Sequence, residues 1–203
     1  DSEFDITPYL RKGKNRICLI CFKYSSSSWL LDQDFFRFMG IFRDVTIYKL
    51  PVNHVFDIDV QTDVSLLSHI GKAKITLTGP LSGTKKHIEV YDSEKTKVYE
   101  IETDDNQIEF IMDNVFLWSA EKPNLYTVLI TLLKNNETIE IVKEFFGFRK
   151  VEIKDGILLF NGERMIIKGV NRHEWNPNRG RSITLDDLYF DFDILKRSNV
   201  NAI

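Results

Sequence analysis

The chain has 203 residues, of which 43% are hydrophobic and 28% charged, and these values fit one or two globular domains. Its formal net charge of −3 gives no electrostatic attraction to nucleic acid or to an anionic membrane, and we therefore expect neither as a partner. No segment approaches the roughly 20 apolar residues of a membrane span. The sequence also opens without the basic and then apolar pattern of a signal peptide. Its first residues are already patterned like folded structure, and we expect a longer protein to precede them.

The first region, residues 1–52, has the pattern of the end of a β domain. Apolar and β-branched residues predict strands over 15–24 and 44–50, on either side of a serine-rich loop. Cys18 and Cys21 share the C-x-x-C spacing of redox and zinc motifs. The sequence has no further cysteine to complete a zinc site, and positions three apart on a strand face opposite sides of it. We therefore expect two buried free thiols in a reducing, cytoplasmic compartment.

The second region, residues 53–147, consists of short runs at regular spacing in which apolar and polar residues alternate. About seven short strands in such a length are typical of an immunoglobulin-like β-sandwich. The runs that carry this prediction are 55–60, 73–77, 87–91, 107–111, 125–133 and 138–146. Trp118 comes before a proline-directed turn, and we expect it to be buried and structural. The sequence assigns no role to the isolated histidines His54, His69 and His87.

The third region, residues 148–203, begins with a hairpin and continues with signals of parallel structure. Asp155-Gly156 between two short apolar runs predicts a tight two-residue turn. The run 164–170 is almost continuously apolar, which predicts a parallel strand buried on both faces.

A helix follows this predicted strand. Thr184, with the acidic Asp187 three residues later, predicts a capped helix start, and basic residues occupy the last turn. The apolar face of the helix consists of Leu185, Leu188, Phe192 and Leu195. Because the chain contains no barrel for this face, we expect the segment after residue 170 to be mobile, to repack or to associate with another molecule. A second strand begins near residue 199, which completes one βα unit and opens the next.

Carboxylates and aromatic rings interleave in segment 31–45, between the two strands predicted for the first region. Aromatic faces pack against the C–H face of a sugar ring, and carboxylates such as Asp32 and Asp34 accept hydrogen bonds from its hydroxyls. The structural alternative is a loop joined by local Asp–Arg pairs, with its phenylalanines buried. Composition alone leaves both interpretations open.

The loop after the predicted parallel strand reads Asn171-Arg172-His173-Glu174-Trp175. The C-terminal end of a barrel strand is where β/α barrel enzymes place their active sites. Glu174 could serve there as a general acid or base, His173 as a transition-state donor and Trp175 as a stacking platform. The alternative is a loop with a solvated glutamate and a structural histidine.

Taken together and in this order, these segments resemble the glycoside hydrolase family 2 β-galactosidases. The resembling stretches are 32–45, 117–126, 147–151, 159–175 and the helix that runs into 201–203. The resemblance implies three consecutive parts in a mainly β chain. These are the C-terminal part of a jelly-roll sugar-binding domain over 1–52, an immunoglobulin-like β-sandwich over 53–147 and the truncated start of a catalytic (β/α)8 or TIM barrel over 148–203.

The resemblance also implies roles for a few residues. Asp34 would contact galactosyl hydroxyls and help to ligate a sodium ion, with Asp32 as the alternative carboxylate. His173 would hydrogen-bond the galactosyl ring and favour the transition state. Many members have histidines where this chain has Trp175 and Asn176, and the aglycone preference therefore stays open.

The family is retaining and uses two glutamates, an acid/base and a nucleophile, about 5–5.5 Å apart. The resemblance places both of them, and the magnesium ligands, beyond Ile203, and Glu174 matches neither. We therefore expect an inactive internal fragment of a homo-oligomeric β-galactosidase that hydrolyses terminal β-D-galactosides such as lactose. The alternatives are a fragment of a β-glucuronidase or β-mannosidase and a stand-alone carbohydrate-binding module with an immunoglobulin-like core.

Overall fold

The computed structural model describes residues 3–26, 28, 30 and 40–203, and the chain divides into two compact units. The sandwich unit comprises Ile47–Val170 together with Asn199–Ile203. The helix unit comprises Asp1–Thr46 together with Asn171–Ser198. The chain thus leaves the sandwich unit after Val170 and returns to it at Asn199.

Strands dominate the regular structure of the described residues. They are β1 (Asp57–Ser65), β2 (Ile70–Thr78), β3 (Lys85–Tyr91), β4 (Lys97–Thr103), β5 (Gln107–Met112), β6 (Tyr126–Lys134), β7 (Glu137–Phe146), β8 (Val151–Lys154), β9 (Ile157–Phe160) and β10 (Glu163–Arg164). A 3-10 turn covers Thr7–Tyr9, and the helix α1 covers Leu185–Arg197. Two antiparallel sheets have the strand orders β1-β2-β5 and β4-β3-β6-β7, while β8, β9 and β10 form a separate meander. The expected mainly β fold with its sandwich is confirmed.

The two sheets bury one apolar core through the alternation of side chains along their strands. Ala73 and Ile75 on β2 and Val128 and Ile130 on β6 are fully buried, at 0% exposure, because every second residue of a strand faces the same side. The remaining core members are Val64, Leu77, Leu81, Ile88, Val90, Ile108, Phe110, Val115, Tyr126, Leu132, Phe146 and Phe148. Burial of these apolar side chains is the main favourable contribution to the stability of the sandwich unit.

Phe148 connects this core with the hairpin that follows it. Its ring is fully buried and packs edge-on against Tyr126 and Phe146, at centroid distances of 5.2 and 5.6 Å. Gly71 on β2 leaves room for the ring, because a Cβ there would lie 2.6 Å from Cε1 of Phe148. The carbonyl oxygen of Phe148 accepts a hydrogen bond from the amide of Trp118 at 2.8 Å. Phe148 therefore determines where the chain leaves the sandwich.

Trp118 has the structural role expected from the sequence. Its side chain is half-buried, whereas full burial was expected. The ring packs edge-on against Phe160 of β9 at 5.9 Å between centroids, and the Arg149 guanidinium lies 5.4 Å from its centroid. Asn161 Nδ2 donates a hydrogen bond to the carbonyl oxygen of Trp118 at 3.0 Å. These contacts join the β8–β9 hairpin to the sandwich.

The hairpin turns use residues that tolerate positive φ angles. Asp155 and Gly156, between β8 and β9, have φ of 51° and 75°. Asn135 and Asn136, between β6 and β7, have φ of 54° and 64°. Two-residue turns with positive φ at both positions match the twist of the flanking strands. The predicted hairpin at Asp155-Gly156 is confirmed.

Lys86 on β3 places a charged group inside the sandwich unit. Its side chain is 1% exposed, and Nζ donates hydrogen bonds to the carbonyl oxygens of Thr84 and Asp104 at 3.1 and 2.8 Å. Burial lowers the pKa of the ammonium group, because it removes the water that stabilises the charged form.

The strands predicted over 15–24 and 44–50 are wrong, as neither range contains a strand. A strand requires a hydrogen-bonded neighbour, and the described residues place none beside either range. The prediction of buried thiols is also wrong, because Cys18 and Cys21 are exposed. Apolar side chains of the same segment are exposed as well, including Phe22 at 76%.

The parallel strand predicted over 164–170 forms only in part. Ile166 and Ile167 are 63% and 61% exposed, and the expected burial on both faces is therefore wrong. A parallel strand is buried on both faces only when helices cover it and strands flank it. Within the described residues the parallel contact of this segment is the bridge between Gly169 and Ala202.

Asn201 reinforces this parallel contact. Its Oδ1 accepts a hydrogen bond from the amide of Lys168 at 2.7 Å, and its Nδ2 donates one to the carbonyl oxygen of Ile166 at 3.0 Å. The backbone amide of Asn201 donates to the carbonyl oxygen of Lys168, also at 3.0 Å. One side chain thereby satisfies backbone groups that a neighbouring strand would pair in a longer ladder.

Helix α1 begins as the sequence predicts. The Thr184 hydroxyl accepts a hydrogen bond from the amide of Asp187, and the Asp187 carboxylate accepts one from the amide of Thr184 at 2.7 Å, which forms a capping box. No residue of α1 is buried, and Leu185 on its apolar face is 67% exposed. The mobility expected for this segment stays a prediction. Among the described residues, no helix is long and apolar enough to cross a membrane.

Replacement of Ile130 by alanine is expected to lower the free energy of unfolding by about 2–5 kcal/mol, because it leaves a cavity between the two sheets. Ile141→Ala on the adjacent strand β7 is the matched control, since Ile141 is 63% exposed. That control is expected to change stability by less than about 0.5 kcal/mol. Urea unfolding of both variants measures the difference, and equal losses would contradict the described core.

Candidate functional site

Arg172 anchors the start of the loop 171–183 to α1 within the helix unit. Its Nε and Nη2 donate hydrogen bonds to Oδ2 of Asp191 at 2.9 and 2.6 Å. The guanidinium also lies 5.9 Å from the ring centroid of Phe192. The Arg172 side chain is 14% exposed, and partial burial makes such a charge-assisted pair stronger than one on an open surface.

Glu174 anchors the same loop to a different segment. Its carboxylate accepts a hydrogen bond from Nη2 of Arg43, a residue 131 positions earlier in the sequence. The Arg181 guanidinium lies 5.1 Å from the ring centroid of Phe42, which adds a second contact between the loop and the same segment. Both members of the Arg43–Glu174 pair are 48% exposed, and the pair therefore contributes more to orientation than to stability.

His173 lies between these two anchors, and its side chain is exposed. Arg172 and Glu174 pair with different segments, so the backbone is held on both sides of the histidine. This limits the positions that the imidazole can reach. An exposed imidazole on a restrained backbone is suited to exchange hydrogen bonds with the hydroxyls of a ligand. The assignment of His173 to a galactosyl ring stays a prediction.

Asp187 ties the far end of the loop to α1. Its carboxylate accepts hydrogen bonds from Nδ2 of Asn176 at 2.9 Å, from the amide of Thr184 at 2.7 Å and from the Arg179 guanidinium. The Thr184 amide, followed by Arg179, holds the pKa of the Asp187 carboxyl well below its usual range. The side-chain amide of Asn176 is thus committed to a structural contact.

Asp32 and Asp34, the predicted sugar and sodium ligands, lie outside the described residues. The side chains of Phe42 and Arg43, a few positions further along, contact the loop that carries His173.

The anchors of the loop were not predicted from the sequence. Arg43 and Glu174 lie far apart in the chain, and no local pattern indicates their pairing.

The structure also brings together a group of side chains able to bind a metal, His87, Glu89 and Glu100, in the sandwich unit. The spacing of His87 and Glu89 on one strand places both on the same face and could have indicated part of this group.

The described chain passes from a β-sandwich through a hairpin and a polar loop to a capped helix, an order that fits a sandwich domain followed by β/α structure. Family comparison gives the same order. Residues 1–51 match the sugar binding domain of glycosyl hydrolases family 2, residues 44–149 match glycosyl hydrolases family 2, and residues 151–203 match the TIM barrel domain of that family. The chain belongs to glycosyl hydrolase family 2.

Relatives with curated names align with the whole chain. The beta-galactosidase of Clostridium acetobutylicum is 44% identical over 210 residues, which cover 100% of this chain and 23% of that protein. The beta-galactosidase large subunit of Lactobacillus acidophilus is 40% identical over 210 residues, covering 100% of this chain and 33% of that protein. The chain thus spans about a quarter to a third of the length of these relatives.

Solved structures with the same fold include two β-glucuronidases. The apo structure of Bacteroides uniformis beta-glucuronidase 3 has a TM-score of 0.71 at 25% identity and covers 81% of this chain and 21% of that chain. The beta-glucuronidase of Parabacteroides merdae has a TM-score of 0.65 at 26% identity and covers 75% of this chain and 20% of that chain.

The contribution of Asp187 to helix stability is expected to disappear in acid. The ordinary pKa of an aspartate carboxyl is 3.8, and the pKa of Asp187 in the folded chain lies below this value. Such a carboxyl stabilises the fold above pH 3.8, and this contribution is lost as the pH falls below 3.8. The stability difference between the wild type and Asp187→Asn should therefore be constant near neutral pH and shrink below about pH 4. Helical circular dichroism during urea unfolding at several pH values measures it.

Asp186→Asn is the control for this experiment. Asp186 lies in the same first turn of α1, but in the described structure it has none of the three partners of Asp187. A loss of the same size and pH dependence in both variants would show that the helix dipole, and not the Asp187 contacts, is responsible.

Proposed function

We propose that this chain is part of a retaining β-galactosidase that hydrolyses terminal β-D-galactosides such as lactose. The observation that carries the proposal is the alignment of the whole chain with proteins named beta-galactosidase, at up to 44% identity. The two β-glucuronidase structures align with 81% and 75% of it, at 25% and 26% identity.

Retaining glycosidases use two carboxyl groups about 5–5.5 Å apart, which form and then hydrolyse a glycosyl-enzyme intermediate. The described residues contain one helix, α1, after a segment that forms a single parallel bridge, whereas the barrel active site is built from the ends of several of about eight strands. The acid/base and the nucleophile are therefore assigned to other barrel strands of the whole protein. Glu174 is assigned neither role, because Arg43 engages its carboxylate and the pair holds the loop in place.

The contribution of this chain is to bind and orient the sugar. His173 is assigned a hydrogen bond to the galactosyl ring that strengthens in the transition state, and its restrained backbone suits that task. Asp34, or Asp32 in its place, is assigned to the galactosyl hydroxyls. A carboxylate oxygen is also a suitable donor for sodium, and sodium is proposed at Asp34. The ligands of magnesium are assigned to other parts of the whole protein.

On the aglycone side of the loop, this chain has Trp175 and Asn176 where many family members have histidines. Trp175 is 39% exposed and offers an indole face on which a sugar or an aromatic group can stack. Asn176 is held by Asp187 and supports the loop instead of the ligand. We therefore assign discrimination among aglycones to Trp175.

The cell compartment and the assembly of the whole protein also belong to this proposal. Exposed free thiols at Cys18 and Cys21 favour a reducing compartment, and a cytoplasmic location is proposed on that ground. A homo-oligomer is proposed as the assembly, by resemblance to the family.

A β-glucuronidase is the second candidate, because the two solved structures compared above carry that name. A glucuronide differs from a galactoside by the orientation of its 4-hydroxyl and by a carboxylate in place of the hydroxymethyl group, and that carboxylate requires a cationic partner in the sugar site. The two candidates are therefore separable by substrate.

The whole protein is expected to hydrolyse a chromogenic β-galactoside at least about a hundredfold more efficiently, in kcat/KM, than the matching β-glucuronide, since a site that leaves a buried carboxylate unpaired rejects the charged sugar. The 203-residue chain alone is expected to hydrolyse neither. A preference for the glucuronide would overturn the proposal. Turnover by the isolated chain would contradict the assignment of the catalytic pair to other barrel strands.

In the whole protein, His173→Phe is expected to lower kcat for the β-galactoside by about 100- to 1000-fold, the usual loss when one transition-state donor is removed. Glu174→Gln keeps the shape of the loop and is expected to cost less than about tenfold, with an unchanged pH profile. A general acid must be protonated to act, so replacing one at this position would instead remove the alkaline limb of that profile. Steady-state kinetics over a range of pH distinguish the two results.

A further inference from the structure

Two glutamates face each other across the β3–β4 pair. The antiparallel register places Glu89 directly opposite Glu100, with Ile88 opposite Ile101 beside them. Like charges at directly opposed positions destabilise a sheet. This pair of carboxylates therefore requires a cation close by.

Lys97 supplies that cation in the described structure. Its Nζ lies 3.3 Å from Oε1 of Glu89 and 2.7 Å from Oε2 of Glu100. An irregularity in the ladder between Val90 and Tyr91 pairs Lys97 with Tyr91 and brings its side chain over the two carboxylates. A single ammonium group thus occupies the space between both acidic groups.

An imidazole completes the same cluster. His87 lies two residues before Glu89 on β3 and on the same face, and its Nε2 is 2.8 Å from Oε1 of Glu100. One ligand atom from each of His87, Glu89 and Glu100 lies within 4.8 Å of the others. The presence of a nitrogen ligand distinguishes this cluster from a purely acidic patch.

A supporting contact orients one of the carboxylates. The Tyr91 hydroxyl donates a hydrogen bond to Oε1 of Glu89 at 2.9 Å, which leaves the other oxygen of that carboxylate for a metal. Such outer contacts fix the direction of a ligand and strengthen metal binding. The side chains of His87 and Glu89 are 27% and 20% exposed, so an ion could enter from solvent and still be partly shielded from it.

We propose that His87, Glu89 and Glu100 form a binding site for a divalent transition-metal ion, with zinc as its representative, on the outer face of the sandwich. One imidazole and two carboxylates are ligands that zinc accepts at about 2.0–2.2 Å, with water in the remaining position. Calcium and magnesium prefer a shell of oxygen atoms and fit this set less well. The ion replaces the Lys97 ammonium as the cation between the carboxylates. The site belongs to the sandwich unit, and it does not depend on the proposed function.

Competition between Lys97 and the ion gives the sharpest test. Lys97→Met removes the competing charge and keeps the length of the side chain, and it is expected to increase zinc affinity about tenfold. His87→Gln removes the nitrogen ligand and is expected to decrease affinity at least tenfold, the loss typical of an incomplete ligand set. Calcium is expected to bind at least a hundredfold more weakly than zinc. Neither the Lys97 nor the His87 substitution alters Cys18 or Cys21.

The experiment is a calorimetric titration of the 203-residue chain with zinc chloride near neutral pH. It uses a Cys18→Ser/Cys21→Ser background, because the two exposed thiols could bind zinc by themselves. Cobalt absorption spectra of the same variants give an independent view of the ligands. If His87→Gln does not fold, Glu100→Gln takes its place, with the same expected loss.

The proposed site is supported if one zinc ion binds per chain, His87→Gln lowers the zinc affinity and Lys97→Met raises it. Three results would overturn it. They are the absence of binding at millimolar zinc, an affinity that is unchanged in His87→Gln, and a weaker affinity in Lys97→Met. The last result would mean that Lys97 supports the cluster as part of an ordinary ion-pair network.

Discussion

The close packing of Phe148 against Gly71 is the constraint on which the arrangement of the sandwich unit depends. The ring fills the space that the missing Cβ leaves, and it closes an aromatic cluster with Tyr126 and Phe146. Since protein interiors are packed at nearly crystalline density, such a contact allows the backbone very few positions. The exit of the chain from the sandwich, and the start of the β8–β9 hairpin, follow from it.

A different kind of restraint acts in the helix unit. Among the described residues of this unit no apolar side chain is buried, and none of those in α1 is. Two charged pairs orient the backbone instead: Arg172 pairs with Asp191, and Glu174 pairs with Arg43. Each pair is individually weak where it is exposed, but two pairs in different directions fix a loop better than one. His173 lies between these two pairs, which restrain the backbone on both sides of it.

Local signals in the sequence predicted the features that depend on nearby residues. Asp155-Gly156 has the positive φ angles that its turn demands, and Thr184 with Asp187 forms the capping box. The strands predicted over 15–24 and 44–50 failed because an apolar run indicates that a segment can pair, and not whether a partner lies beside it. The same reason explains the partial formation of the parallel strand.

Contacts between distant parts of the chain could not be predicted in this way. The Arg43–Glu174 pair and the register that opposes Glu89 to Glu100 depend on tertiary arrangement, which no window of the sequence contains. For the candidate site, the loop with His173 was predicted from its position after an apolar strand. The charged residues that hold this loop were recognised only from the fold.

The burial of Lys86 has a consequence for chemical labelling. Amine-reactive reagents need an accessible, uncharged amine, and at 1% exposure Lys86 meets them only when the sandwich opens locally. Its neighbour Lys85, whose side chain is 47% exposed, reacts from the closed state. The ratio of the two labelling rates, read by mass spectrometry, therefore reports how often the sandwich opens.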